Sequence, residues 1–156
     1  MKKIEIIENF LDAADFETLS KLKLDTVPKN SLKVYHNEID KNNNVVTSCI
    51  DQSIIKSLNN KYHDKTFQLL NKISPKKAEL YEYSDFSIIK TGKNYKFPIH
   101  DDTPNKLLSG VIYLYPEKNT GTIFYGNKKG DNKEVVEWKQ NRAVFFSRHE
   151  RETWHS

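Results

Sequence analysis

His100 and Asp102 are the residues whose types and spacing best suit metal chemistry. They form a His-x-Asp pair within His100-Asp101-Asp102. Side chains on an extended segment alternate with period two, so the imidazole and the carboxylate are directed to the same side. Two ligands on one side of a segment can share a metal ion. A pair of this kind also arises by chance in a chain with five histidines. The residues around it therefore determine whether it indicates a metal site.

Two other histidines have an acidic neighbour. His36 and Glu38 form a His-x-Glu pair, which we interpret as the solvated flank of a hairpin. His63 and Asp64 fall in a predicted helix, where adjacent side chains diverge, and we assign them to its solvated face. Neither pair is predicted to bind a metal.

Length and cysteine content limit the kind of protein and the kind of metal site. With 156 residues, of which 37% are hydrophobic and 29% charged, the chain can bury a core without disulfides, and we predict a single domain over residues 1–156. Cys49 is the one cysteine, which excludes an internal disulfide and a thiolate site of the zinc-finger kind. Any metal must therefore be bound by His, Asp or Glu.

The N-terminus and the charge pattern predict a cytoplasmic protein. Glu5 and Glu8 interrupt what would have to be the apolar stretch of a signal peptide. No apolar run approaches the roughly 18 to 20 residues of a membrane-spanning helix. The net charge of +4 is compatible with polyanion binding, but the lysines are scattered over the whole chain. We therefore expect neither membrane association nor nucleic-acid binding.

The apolar pattern changes from helical to strand-like along the chain. A short opening strand precedes a helix capped by Asp12 and running to about residue 24. A hairpin of strands at residues 32–36 and 45–50 follows, around a turn at 40–44, and then an amphipathic helix at 53–73 that ends before Pro75. Six short strands come next, at residues 78–83, 86–91, 107–115, 122–125, 135–138 and 143–147. This pattern is typical of an α+β protein in which helices support an antiparallel double-stranded β-helix, or jelly roll.

Several motifs around His100 occur together and in a fixed order. They comprise a glycine and an aromatic residue ahead of the His-x-Asp pair, a strand ending in Tyr-Leu, a Gly-Thr turn, an apolar strand and a distal histidine. In this chain they are Gly92, Tyr95, Phe97-Pro98-Ile99-His100-Asp101-Asp102, Tyr113-Leu114, Gly121-Thr122, Ala143-Val144-Phe145-Phe146 and Thr153-Trp154-His155-Ser156. Together they resemble the core of the 2-oxoglutarate- and Fe(II)-dependent oxygenases, most closely the prolyl-hydroxylase-like branch. The resemblance covers the chain from about residue 88 onward and, more loosely, residues 4–24.

The resemblance implies an iron site. His100, Asp102 and His155 would bind Fe(II) as a facial set of two imidazoles and one carboxylate, which leaves positions for 2-oxoglutarate and dioxygen. His149 is the rival distal ligand, but it lies in a charged run that we interpret as a loop. Asp101 is interpreted as a solvated loop residue.

The resemblance also implies a cofactor contact, in which the Tyr113 hydroxyl donates to the distal carboxylate of 2-oxoglutarate. A tyrosine in a strand is equally well explained as a core residue with one satisfied hydroxyl. Ile89 stands where family members commonly have a tyrosine. The family's basic residue that anchors 2-oxoglutarate follows the distal histidine, and Arg142 and Lys106 are the available substitutes, although each also fits an ordinary turn cation.

Since no anchoring residue follows His155, we expect that the sequence lacks its last strand or two. A missing strand would expose a sheet edge and favour a homodimer. The predicted function is an Fe(II)- and 2-oxoglutarate-dependent dioxygenase that hydroxylates a substrate the sequence does not identify. The alternative is a non-catalytic jelly-roll binding module that keeps the metal motif as a relic or as a structural site.

Overall fold

The computed structural model describes residues 3–149 and 152–156. In this part of the chain the structure is mixed α+β with antiparallel sheets. Its helices are α1 (Ala13–Ser20), α2 (Gln52–Ile73) and a 3-10 helix (Pro75–Leu80). Its strands are all short: β1 (Ile4–Ile7), β2 (Leu32–Tyr35), β3 (Glu38–Asp40), β4 (Val45–Thr47), β5 (Tyr83–Asp85), β6 (Ile88–Thr91), β7 (Ser109–Ile112), β8 (Thr122–Tyr125), β9 (Glu134–Val136), β10 (Ala143–Phe146) and β11 (Trp154–His155).

Contacts group the chain into two compact units. The first contains residues 1–23 and 97–156, and the second contains residues 24–96. A compact unit need not fold alone, so the single domain over residues 1–156 stays a prediction. Among the described residues, no helix combines the length and the apolar character needed to cross a membrane.

The first unit is built from two three-stranded antiparallel sheets. Their strand orders are β1-β10-β7 and β11-β8-β9. Phe124 of one sheet meets Phe146 of the other edge to face, with ring centroids 5.1 Å apart, an arrangement that aromatic pairs favour. Tyr113, Val136 and Val144 complete this buried core. The two sheets therefore bury their apolar faces against each other.

Asn141 attaches the N-terminal segment to the rest of the first unit. Its side chain accepts a hydrogen bond from the Leu11 amide at 2.9 Å and donates one to the Leu11 carbonyl at 2.7 Å. Its own carbonyl accepts from the Phe10 amide at 3.0 Å. Asn141 has a φ of 63°, in the left-handed region that asparagine enters more readily than most residues. The Phe10 ring packs on Phe145 of β10, with centroids 5.0 Å apart.

Both predicted α-helices are confirmed. The Asp12 side chain caps α1 by accepting from the Asp15 amide at 2.9 Å, but α1 ends at Ser20 rather than near residue 24. The Asp51 side chain caps α2 in the same way, from the Ser53 amide at 2.8 Å. The apolar positions predicted to face a core along α2 are buried: Ile55, Leu58, Tyr62, Leu69 and Ile73.

The predicted hairpin in the second unit is wrong. Strand β4 folds back onto β3, whereas β2 pairs with β6, so that Val34 lies opposite Ile89. The turn itself is where the sequence predicts it: the Asp40 amide donates to the Asn44 carbonyl at 2.9 Å, and Asn43 has a φ of 63°. Strand β3 was missed because three residues are too few to show a period of two.

The strand predicted at residues 78–83 is also wrong. Residues Pro75–Leu80 form the 3-10 helix, and the strand begins only at Tyr83. Proline is tolerated in the first turn of a helix, because that turn does not use its missing amide hydrogen. Pro75 therefore ends α2 without ending helical structure. The remaining predicted strands are confirmed as β6 to β10: β8 has the predicted bounds, β9 is shifted toward the N-terminus, and β6, β7 and β10 are shorter than predicted.

Candidate metal centre

His100 and His155 face each other across an antiparallel β-bridge. The His100 amide donates to the His155 carbonyl at 3.0 Å, and the His155 amide donates to the His100 carbonyl at 2.8 Å. Residues that exchange both hydrogen bonds are directly opposite each other, with their side chains on the same face. The ring centroids are 4.2 Å apart. On its other side, His155 pairs with Phe124 of β8.

Asp102 completes a cluster with these two imidazoles. Its Oδ1 lies 3.9 Å from Nε2 of His100 and 3.9 Å from Nε2 of His155. One potential ligand atom from each residue lies within 4.8 Å of the others. The His-x-Asp spacing thus acts as predicted, with both side chains on one face. The cluster is open on one side: the His100 side chain is 42% exposed, whereas those of His155 and Asp102 are 10% and 6% exposed.

Hydrogen bonds orient both imidazoles and leave the same nitrogen free on each. Nδ1 of His100 lies 2.9 Å from the Pro98 carbonyl oxygen, and Nδ1 of His155 lies 2.7 Å from the Thr153 carbonyl oxygen. A carbonyl oxygen only accepts, so each Nδ1 carries a proton. In the neutral imidazole the Nε2 lone pair is then available, and each Nε2 lies 3.9 Å from Oδ1 of Asp102. A backbone carbonyl behind each ring is a common support for histidine ligands of metals.

The Asp102 carboxylate is held by donors outside the cluster. The Ser109 hydroxyl donates to Oδ2, and the Lys106 ammonium lies 3.0 Å from Oδ1. Burial raises the pKa of Asp102, but the hydrogen bonds from Ser109 and Lys106 and the charge of Lys106 outweigh it, so this pKa lies below its ordinary value. The carboxylate is therefore charged at neutral pH, as a metal ligand must be.

His155 is held in its neutral form. Burial lowers its pKa below the usual value, and this outweighs the opposite effects of the Thr153 carbonyl and of the Asp102 charge. An unprotonated imidazole is the form that coordinates metals.

The cluster fits a divalent metal by the chemistry of its donors. The Nε2 atoms of both histidines and a carboxylate oxygen of Asp102 lie close together, and each of these atoms can coordinate a metal when it carries no proton. Ligand atoms that bind one metal at about 2.1 Å and at right angles lie about 3.0 Å apart, so the separations of 3.9 Å would have to close by about 0.9 Å on metal binding. Two imidazoles and one carboxylate suit Fe(II) among other transition metals.

Asp101 is not the solvated loop residue that the sequence suggests. Its side chain is 9% exposed, and its Oδ2 lies 3.2 Å from Nε of Arg148. Its Oδ1 accepts from the Thr153 hydroxyl at 2.6 Å and from the Asp102 amide at 3.0 Å. Thr153 is fully buried. The sequence offered one signal for Thr153, its position two residues before the distal histidine.

Tyr113 lies in the core that the two sheets share and is 2% exposed. Its hydroxyl donates to the Thr122 hydroxyl at 2.7 Å and accepts from the Thr122 amide at 2.9 Å. Its ring stacks on Trp138, with centroids 4.5 Å apart. These contacts match the interpretation of Tyr113 as a core residue with a satisfied hydroxyl. A role in binding 2-oxoglutarate would require this hydroxyl to change partners.

The two cations considered as anchors for 2-oxoglutarate both have acidic partners. Nε of Arg142 lies 2.7 Å from the Glu8 carboxylate, and its Nη1 donates to the Glu137 carbonyl at 2.7 Å. Lys106 contacts Asp102 and therefore lies beside the His-Asp-His cluster. Of the two, only Lys106 contacts a residue of the His-Asp-His cluster.

The other three histidines are outside the cluster. The His149 side chain is 59% exposed and its Nδ1 lies 3.1 Å from Glu152. The His36 side chain is 44% exposed and lies near acidic groups of the second unit. His63 packs against aromatic rings instead of projecting fully into solvent. Among the described residues, the cluster of His100, Asp102 and His155 is the group of three potential ligands close enough to share an ion.

Comparisons with known proteins identify no relative: no family model, no curated protein and no solved structure matches this chain. The geometry of the cluster, and of the sheets that carry it, is therefore the basis on which a function can be inferred.

Proposed function

We propose that this protein is an Fe(II)- and 2-oxoglutarate-dependent dioxygenase that hydroxylates a substrate not yet identified. The observation that carries the proposal is the convergence of His100, Asp102 and His155. Two histidines and one carboxylate that leave further coordination positions open are the ligand set of non-haem Fe(II) oxygenases. Bound Fe(II) would supply the redox chemistry by which one O2 converts a C–H bond to C–OH and 2-oxoglutarate to succinate and CO2.

The first unit supports a jelly roll as the fold behind this activity. Its two antiparallel sheets share one core, as the sheets of a jelly roll do. His100 extends one sheet at the β11 edge, and Asp102 is hydrogen-bonded to Ser109 of β7 in the other sheet. The ligands therefore lie where residues of both sheets meet.

The chain's own residues have separate tasks in this proposal. The carbonyls of Pro98 and Thr153 keep the proton of each imidazole on Nδ1 and leave Nε2 for the metal. Ser109 fixes the rotation of the Asp102 carboxylate. The open side at His100 is where 2-oxoglutarate and the substrate would enter, since the other two ligands are buried.

A second candidate function is a non-catalytic binding module with a structural metal site. The Tyr113 hydroxyl and the Arg142 guanidinium are both engaged within the first unit, and they were candidates for holding 2-oxoglutarate. This observation favours metal binding without turnover. The two functions share the cluster and differ in whether 2-oxoglutarate binds and is consumed.

The test of the dioxygenase begins without oxygen. Fe(II) and 2-oxoglutarate added together should give a visible charge-transfer band, because the 2-oxo acid chelates the metal. The band should be lost in His100→Ala and retained in His149→Ala, a matched control that removes an exposed histidine near the same segment. A wild-type protein without the band, or a band that survives His100→Ala, would show that the assignment is wrong.

Turnover then separates the two candidate functions. On admission of oxygen, a dioxygenase forms succinate from 2-oxoglutarate even without its substrate, at a low uncoupled rate. A structural metal site binds Fe(II) and forms no succinate above the level of His100→Ala. Succinate formation by the wild type that His149→Ala preserves supports the dioxygenase.

A further inference from the structure

Asp101 lies between two of the proposed ligands and takes no part in the cluster itself. Because side chains alternate along an extended segment, its carboxylate is directed away from His100 and Asp102. It is nevertheless one of the best-buried acidic side chains of the first unit, with 9% exposure. Burial of a carboxylate is costly unless it is paired and hydrogen-bonded. The partners that compensate for this cost show what the residue does.

These partners belong to the segment that carries the other imidazole. Oδ1 of Asp101 accepts from the hydroxyl of Thr153 at 2.6 Å and Oδ2 lies 3.2 Å from Nε of Arg148. Oδ1 also accepts from the amide of Asp102 at 3.0 Å. The carboxylate thus joins the His-x-Asp segment to the segment that leads into His155.

Thr153 passes this constraint on to the distal imidazole. Its hydroxyl is held by Asp101, and its carbonyl accepts from Nδ1 of His155 at 2.7 Å. Its hydroxyl oxygen also accepts from the His149 amide at 3.1 Å. The rotation of the His155 ring therefore depends on where Asp101 holds Thr153.

We infer that Asp101 is a positioning residue of the metal centre: its carboxylate, through Thr153 and Arg148, holds the two ligand-bearing segments at the spacing that metal binding requires. This inference rests on the proposed metal site and assigns to the middle residue of His-x-Asp a role that the ligand set alone does not. Groups that orient metal ligands from behind commonly change metal affinity by about 10- to 100-fold when they are removed.

The test measures metal affinity directly, with Co²⁺ as the probe and its visible absorption as the report on coordination geometry. Asp101→Ala should weaken Co²⁺ binding by about 10- to 100-fold and change the absorption bands. Thr153→Val, which keeps the shape of the side chain and removes the hydroxyl, should act in the same direction. Asp101→Asn keeps an oxygen acceptor for Thr153 and loses the charge opposite Arg148, so its loss should be smaller.

Glu117→Gln is the matched control, because it makes the same carboxylate-to-amide change at an exposed position. It should leave affinity and spectrum unchanged. The double variant Asp101→Ala/Thr153→Val should bind little worse than either single variant, since residues that act through one contact are not additive.

The Co²⁺ measurements distinguish failure of the inference about Asp101 from failure of the proposed metal site. If Asp101→Ala and Thr153→Val unfold more easily but bind Co²⁺ with wild-type affinity and bands, Asp101 is structural and the inference is overturned while the metal site stands. Should Asp101→Ala not fold, Thr153→Val and Asp101→Asn decide the question in the same way. A wild-type protein that binds no Co²⁺ overturns the proposed function itself, and the inference with it.

Discussion

The backbones of His100 and His155 exchange two hydrogen bonds, of 3.0 and 2.8 Å, although β7 to β10 lie between them in the chain. This bridge sets the two imidazoles side by side, with ring centroids 4.2 Å apart. A metal held by both side chains would lock the same bridge, because opening it would separate the ligands. Metal binding and exchange of these two amide hydrogens are therefore linked.

We predict that Co²⁺ slows hydrogen exchange at the amides of His100 and His155. At a free metal concentration one hundred times Kd, binding to the folded form stabilises it by about 2.7 kcal/mol, which corresponds to about a hundredfold slower exchange through openings that release the metal. Exchange measured by NMR or mass spectrometry checks this. The Gly92 amide of the second unit, which donates to the Ser31 carbonyl at 2.7 Å, is the internal reference. Equal slowing at all three amides would contradict a local lock.

Lys106 supplies a second prediction, because its ammonium lies 3.0 Å from the Asp102 oxygen that faces both imidazoles. A divalent metal and this ammonium repel each other at the same carboxylate. Removing the charge in Lys106→Ala should raise Co²⁺ affinity by about two- to fivefold at low salt, the modest effect of an exposed cation. The difference should shrink as salt screens it.

Lys118→Ala is the control for Lys106→Ala, since it removes an exposed lysine elsewhere in the first unit. Its Co²⁺ affinity should equal that of the wild type. If Lys106→Ala binds Co²⁺ more weakly than the wild type and Lys118→Ala do, the Lys106 ammonium orients the Asp102 carboxylate instead of competing with the metal.

Local sequence signals were sufficient for part of the site. The alternation of side chains along an extended segment predicts that His100 and Asp102 share one side, and the N-cap predicted at Asp12 agrees with where α1 begins. These features depend on residues close together in the chain, whose geometry a short backbone segment determines.

The rest of the site depends on pairing between distant segments, which no local pattern encodes. Ser109 donates to Asp102, and Thr153 donates to Asp101, only because the strands fold back to bring them together. The same limitation produced the wrong hairpin: the sequence shows that β2 is a strand, but its partner β6 is far along the chain. The burial of Asp101 was not predicted, because its neighbours in the sequence do not show that a distant residue, Thr153, forms a hydrogen bond with it.

Asn141 supplies a prediction about stability. Asn141→Ala removes both side-chain hydrogen bonds to buried Leu11 and puts alanine at a φ of 63°. Two buried backbone groups without partners and the left-handed backbone together should cost about 2 to 5 kcal/mol in the free energy of unfolding. Urea unfolding checks this value. Asn141→Gly should recover about 1 kcal/mol of the loss, because glycine accepts this backbone conformation.

Asn132 offers the matched position for this comparison. It also has a positive φ, of 51°, but is exposed. Asn132→Ala should therefore cost only the backbone strain, about 1 kcal/mol. If the alanine variants at the two positions lose the same stability, the hydrogen bonds from Asn141 to the N-terminal segment contribute nothing measurable.

Tyr113 supplies a prediction about pH, because burial raises the pKa of its phenol and outweighs the opposing hydrogen bonds with Thr122. In the unfolded chain tyrosine ionises near pH 10, whereas folded Tyr113 stays neutral to higher pH. Its contribution to stability is thus complete below about pH 10 and is lost as pH rises through the folded pKa. Tyr113→Phe should cost about 1 to 3 kcal/mol at pH 8 and less at pH 11, as measured by urea unfolding. A variant as stable as the wild type at pH 8 that binds 2-oxoglutarate more weakly would instead place the hydroxyl at the cofactor.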